Sequence, residues 1–300
     1  MSYAIGLDLG GTNIKGLAVT TSGKVLAEIN VPTADAGDRA WVGNVERARV
    51  NLRKRIGKEP DFIGVAAPGL VARDHRSIAF MPERLQGLEN LVWQEYFDVS
   101  HPVPVLNDAQ AALLGEVWRG AARGSSNVIL LTLGTGVGGA AMIDGRLLHG
   151  HLGRAGHFGH LSLDPQGALD ITGTPGSLED AIGDATIRKR SQGRFDSTRG
   201  LTNAVRRGNR EAVRIWKDSV RNLAAASASL INILDPEVVI LGGGIARAGA
   251  ILFRPLKEFL NQFEWRPGGS KARTVTAKLG DRAGAFGAAW NAIQFASDDK

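Results

Sequence analysis

The sequence contains no cysteine. That single absence excludes disulfides and thiolate-bound metal, and it suits a reducing compartment. There is also no apolar run of the roughly 18 residues that a membrane-spanning helix needs. The N-terminus has no basic start leading into an apolar stretch, and Asp8 interrupts the first apolar run, so no secretory leader is expected. The expected location is the cytoplasm, with no membrane partner. Low-complexity linkers and repeats of solenoid length are missing too.

Charge is present but uneven. The net charge is +6, and the segment from Arg188 to Arg221 holds eleven Lys/Arg against three Asp/Glu. A basic face can attract phosphate-bearing ligands or nucleic acid. No nucleic-acid motif accompanies this one, so it reads first as a solvated helical face, and no nucleic-acid partner is expected. With 43% hydrophobic and 22% charged residues, the chain is an ordinary globular protein. Three hundred residues are comfortable for two domains.

The pattern of elements repeats. "YAIGLDLG" and "IKGLAVT" are apolar, β-branched runs joined by "GTN", which predicts a hairpin. "GKVLAEINVP" follows as a third strand. Trp41, Val45, Ala48 and Leu52 fall at helical spacing. "DFIGVAAPGLV" runs as a strand into a Pro–Gly turn, and "VPVLNDA" is a short strand that ends at Asn107–Asp108 before a strong helix. The second half opens again on strand, glycine turn, strand in "NVILLTLGTGVGGAAMIDGRLL". A long helix over 209–234, stopped by Asp235–Pro236, leads to the strand and glycine turn of "EVVILGGGIARAG". The final "GAFGAAWNAIQFA" predicts a helix of small residues. The duplicated layout predicts an α/β protein of two domains.

Three glycine turns each follow an apolar strand: Gly10–Gly11–Thr12, Gly134–Thr135–Gly136 and Gly242–Gly243–Gly244. Without side chains in the way, such turns let backbone N–H groups approach phosphate oxygens. One glycine turn alone usually just turns the chain; three after strands are a stronger signal. Residues 134–139 also fit G-x-G-x-x-G, the dinucleotide pattern of nicotinamide-dependent dehydrogenases. That pattern requires a following helix, whereas "AAMIDGRLL" reads as strand and turn, so the dehydrogenase reading fails here. Asp8 stands just before the first turn, where a carboxylate suits water-mediated Mg²⁺ binding near ATP phosphates or merely caps the turn. Asp108, at a strand end before a helix, can accept a proton from a hydroxyl or serve as the helix N-cap.

"DLGGTNIKG", "GVAAPG", "VPVLNDAQAALLGE", "LTLGTGVGGAAMIDG", "AGHFGH" and "VVILGGGI" occur in order over about residues 3–292. Together they resemble the motifs of the ROK family of repressors and sugar kinases. The resemblance implies two actin-like (ribonuclease H-like) ATPase domains, with ATP and sugar in a cleft between them. It implies an N-terminal domain of 1–108 joined by a C-terminal helix over 283–300, and a larger domain of 109–282. ROK repressors carry an N-terminal helix-turn-helix, whereas this chain starts on its first strand, so the kinase branch is expected. By resemblance, Gly10, Gly11 and Thr12 form one phosphate loop, Gly134, Thr135 and Gly136 a second, and Gly243 and Gly244 sit near the adenosine. Gly69 and Asn107 bind the sugar, and Asp108 is the catalytic base. ATP and Mg²⁺ are implied, as is a homo-oligomer, dimer or tetramer.

The stretch 155–180 departs from that family. The family signature is Glu-x-Gly-His followed by C-x-C-G-x-x-G-C-x-E, in which the His and three cysteines hold zinc and the Glu and His residues bind sugar. Here His160, Gly173, Gly176 and Glu179 match without a gap, but the cysteine positions are Asp170, Thr172 and Ser177. Hydroxyls and one carboxylate are poor zinc ligands beside thiolates, so no structural zinc is expected. The first Glu is His157, and an Asn that many members carry is Glu83. Carboxylate placement at the sugar site is thus altered, and plain glucose becomes a doubtful substrate. The competing reading is a non-catalytic sugar- or nucleotide-binding regulator. It is motivated by His157 and the lost zinc loop, and opposed by the presence of Asp8, Asn107 and Asp108.

Overall fold

The computed structural model describes residues 1–82 and 84–298. They form two compact units: Met1–Gly124 with His149–Ala155 and Lys278–Lys300, and Ser125–Leu148 with Gly156–Ala277. The first unit runs through β1 (Tyr3–Leu9), β2 (Asn13–Thr20), β3 (Val25–Pro32), α1 (Ala40–Ile56), β4 (Phe62–Ala67), β5 (Leu70–Val71), β6 (Ile78–Phe80), α2 (Trp93–Tyr96), β7 (Val105–Asn107) and α3 (Asp108–Arg119). Its main sheet has the order β3-β2-β1-β4-β7. The first three strands are an antiparallel meander, and β4 and β7 run parallel to β1. β1 and β4 are nearly continuous apolar runs because both of their faces are covered. On one side lies α1, whose Trp41, Val45, Ala48 and Leu52 are all buried.

The other side is covered by the C-terminal helix, Ala283–Asp298. Its small residues have a steric cause. A side chain on Gly6 of β1 or Gly64 of β4 would collide with the helix carbonyls of Ala285 and Ala288. Gly287 likewise lies against the carbonyl of Ala111 in α3. Backbone therefore packs on backbone.

The second unit repeats the plan with β8 (Val128–Leu133), β9 (Val137–Ile143), β10 (Arg146–Leu147), α4 (Leu178–Ile182), α5 (Ile187–Arg190), α6 (Thr198–Arg206), α7 (Arg210–Leu234), β11 (Val238–Gly242), α8 (Gly243–Ala246), α9 (Ala250–Phe263) and β12 (Arg273–Thr276). The sheet order is β10-β9-β8-β11-β12, strand for strand the order of the first. α7 begins at Asn209, whose side chain accepts the Ala212 N–H, and ends at Asp235, a left-handed residue before Pro236.

The expected division after Asp108 falls inside the first unit. The reason is Glu116, a fully buried carboxylate of α3. Its Oε1 accepts the N–H groups of Lys278 and Leu279 at 2.8 and 2.7 Å, and Oε2 accepts that of Ala121 at 2.7 Å. It thereby ties α3 to the segment that leads into the C-terminal helix. Removing this carboxylate orphans three N–H groups. Glu116→Ala is expected to lower unfolding stability by about 3 kcal/mol in urea titration; a loss under about 1 kcal/mol contradicts this account.

Candidate active site

In the first unit, the ends of β1 and β7 carry the candidate carboxylates Asp8 and, just after β7, Asp108. Asn107, not Asp108, is the N-cap of α3. Its Oδ1 accepts the Ala109 N–H at 2.9 Å, and Gln110 Oε1 reaches back to the Asn107 N–H, closing a capping box. Asn107 Nδ2 donates to the carbonyl of Gly69 at 3.0 Å. Gly69 has φ +106, and a side chain there would run into the backbone of Phe80, so this turn requires glycine. With the cap supplied by its neighbour, Asp108 is the first helical residue, exposed, with Oδ1 on the Ala109 N–H at 2.7 Å. Asp8 lies near the end of β1, with β4 between it and β7. Burial first, then the charge of Asp108, pushes its carboxyl up to about 7, with Lys15 opposing.

The first glycine turn is closed by Gly10 N–H donating to the Asn13 carbonyl at 3.0 Å and by the Thr33 hydroxyl donating to the Gly10 carbonyl at 2.6 Å. Gly11 and Thr12 are exposed. The guanidinium of Arg84 lies directly against Gly11. Glu83 lies outside the described residues.

In the second unit, Gly134, Thr135 and Gly244 line one open pocket of about 760 Å³, together with Asp184, Arg199, Arg206 and Arg247. Gly243, at φ +82, packs on the carbonyl of Leu133, which brings the third turn against the second. Part of the basic stretch is therefore not a solvated face, since Arg199 and Arg206 line this pocket. Other members lie on the surface, where Arg214 pairs with Glu211 and Asp218, and Arg194 with Glu211, whereas Arg190 is part-buried and donates to the Gly183 carbonyl at 2.6 Å.

The loop of 157–179 is ordered by hydrogen bonds. His157 precedes a single 3-10 turn, Phe158–His160. His160 Nδ1 lies 2.8 Å from Asp170 Oδ2. Asp170 Oδ1 accepts the Thr172 N–H and hydroxyl, both at 2.8 Å, and the Thr174 N–H at 2.9 Å. Burial opposes the charge, but these donors outweigh it and hold the Asp170 carboxyl well below the usual range. Ser177 caps α4 through the Asp180 N–H, and short bridges join Ser162 to Ser177 and Leu169 to Pro175. Glu179 Oε2 accepts the Val137 N–H at 2.9 Å and abuts Gly136, so it braces the second glycine turn. Among the described residues, no cluster of three or more His, Asp or Glu side chains is placed to hold a metal ion.

Two sheets of identical strand order, one ending in paired carboxylates and the other in a glycine-lined pocket, define the actin-like ATPase fold. The ROK family pattern matches residues 4–294, and the chain belongs to the ROK family. It is 33% identical to a glucokinase of Thermotoga maritima over 95% of both chains. A ROK hexokinase from Thermus thermophilus superposes with a TM-score of 0.88 at 30% identity, covering 99% of each chain. A ROK glucokinase from Streptomyces griseus, solved with glucose and AMPPNP, gives 0.79 at 28% identity, covering 98% of this chain and all of that one. No helix among the described residues is long and apolar enough to cross a membrane.

Two outcomes follow from the site. Elemental analysis of protein purified without chelator is expected to find no stoichiometric zinc; one tightly held zinc per chain refutes the hydrogen-bonded loop. The second concerns Asp8, whose folded value of about 7 exceeds its ordinary 3.8. The folded chain keeps a proton that the unfolded chain releases, so this group's stabilisation is lost as pH rises between those values. Without nucleotide or Mg²⁺, the melting-temperature advantage of Asp8→Asn over wild type should grow from about pH 4 to pH 7 and then level. An advantage that is flat or shrinks across that window contradicts the assignment.

Proposed function

We propose that this chain is an ATP-dependent sugar kinase that transfers the γ-phosphoryl group of ATP to a hydroxyl of a hexose or hexose derivative, at the 6-position. The observation that carries the reading is the cap: Asn107 takes over the helix end and leaves the Asp108 carboxylate exposed. Asp108 is the general base, accepting the proton of the attacking hydroxyl. Asn107 keeps one amide hydrogen and one lone pair in reserve, so it can still hold a sugar hydroxyl beside Gly69. His157, His160 and Glu179 supply further sugar contacts.

The second unit's pocket has the size of a nucleotide site; the Gly134 N–H closes the turn on the Gly136 carbonyl at 2.9 Å, and Thr135 and Gly244 line the pocket with backbone that phosphate oxygens can approach. Arg199 and Arg206 add positive charge to that pocket. Gly10, Gly11 and Thr12 form the other phosphate loop, with Arg84 above it. Asp8 fits Mg²⁺ held through water, because a half-buried carboxylate beside a second carboxylate gains from a nearby cation. When bound, Mg²⁺ supplies neutralisation of the phosphate charge. No zinc is needed. A cytoplasmic homo-oligomer, dimer or tetramer, completes the proposal.

An ADP-coupled assay over hexoses, amino sugars and polyols tests it. One of them, not necessarily glucose, should be turned over. Asp108→Asn should reduce kcat by at least about 10³-fold while nucleotide binding persists. Sugar binding without ATP turnover in the wild type would favour the regulator instead.

A further inference from the structure

The two ring nitrogens of His160 have unequal surroundings. Nδ1 faces Asp170 at 2.8 Å, and the Asp170 side chain is wholly buried. The other carboxylate oxygen takes three hydrogen bonds from Thr172 and Thr174. Such a carboxylate is ionised and can only accept, so the hydrogen of a neutral imidazole must sit on Nδ1. Nε2 is then a bare lone pair. The His160 side chain is 25% exposed, and Nε2 has no protein partner among the described residues.

A metal on one ring nitrogen has the opposite effect: it takes that lone pair and leaves the hydrogen on the other nitrogen. In the family signature, the residue at this position is held by zinc. We propose that Asp170, standing where the first zinc cysteine would stand, fixes His160 with Nδ1 protonated, so that Nε2 accepts a hydrogen bond from a sugar hydroxyl rather than donating one. The exchange is matched at position 157, where the family's acceptor-only Glu has become a histidine that can donate. Donor and acceptor have traded places along one short turn. Asp170 is thus a positioning residue, acting on substrate choice through His160. The inference rests on the sugar-kinase reading only for the identity of the hydroxyl-bearing ligand.

The test begins with ¹⁵N NMR of the histidine rings at a pH where they are neutral, in wild type, in His160→Gln to assign the signal, and in Asp170→Asn. In wild type, His160 Nδ1 should carry the hydrogen. In Asp170→Asn, the amide oxygen stays with the three donors, the NH₂ group turns to Nδ1, and the hydrogen moves to Nε2. A wild-type Nε2–H tautomer, or no change in a folded Asp170→Asn, overturns the proposal. Monodeoxy and monofluoro derivatives of the sugar that the wild type turns over then read the same inversion, since fluorine accepts weakly and never donates. At one ring position, fluorine should bind wild type no better than hydrogen, about tenfold below hydroxyl. Fluorine binding as tightly as hydroxyl at every position contradicts the proposal. If wild type turns over no sugar at all, the kinase reading fails, and the nitrogen spectrum still decides the tautomer.

Discussion

The Asp170 carboxylate, buried and surrounded by four donors, is the constraint on which the second unit's chemistry rests. It closes the loop that ends in the Ser177 cap, and that cap starts the helix that carries Glu179. Glu179 in turn holds the Val137 N–H and abuts Gly136. One buried charge therefore orders the stretch from His160 to the second glycine turn. A carboxylate can do this without metal because both of its oxygens find donors, three N–H or O–H groups on Oδ1 and the His160 ring on Oδ2, which offsets the cost of burial.

The repeated strand order divides the work. The first unit carries two acids: Asp8, half-buried, with its carboxyl pushed up to about 7, and Asp108, exposed at the first residue of α3 beside the Asn107 cap. The second unit supplies glycine and arginine: an open pocket bordered by two glycine turns, with Arg199, Arg206 and Arg247 around it. Phosphoryl transfer needs both kinds of group, a base for the alcohol and dispersed positive potential for the phosphates.

The strands, the glycine turns and the small-residue helix were legible because hydrophobic period and glycine position report them directly. The cap was not, because Asn107 and Asp108 are adjacent and both suit the position; only Gln110, three residues on, distinguishes them by completing the box around Asn107. Arg199 and Arg206 were hidden in a run of charge, since sequence gives the charge but not which side of α6 lines a pocket. Asp170 read as a lost cysteine, although its spacing to Thr172 is that of an Asx turn and signalled local hydrogen bonding. Glu116 and Arg84 left no signal, because their partners lie far away in the chain.

The most direct measurement is the rate of ATP-dependent hexose phosphorylation after exhaustive zinc chelation, with Mg²⁺ restored. A loop held by the Asp170 carboxylate predicts an unchanged rate. A rate that collapses and returns only when zinc is added contradicts the account.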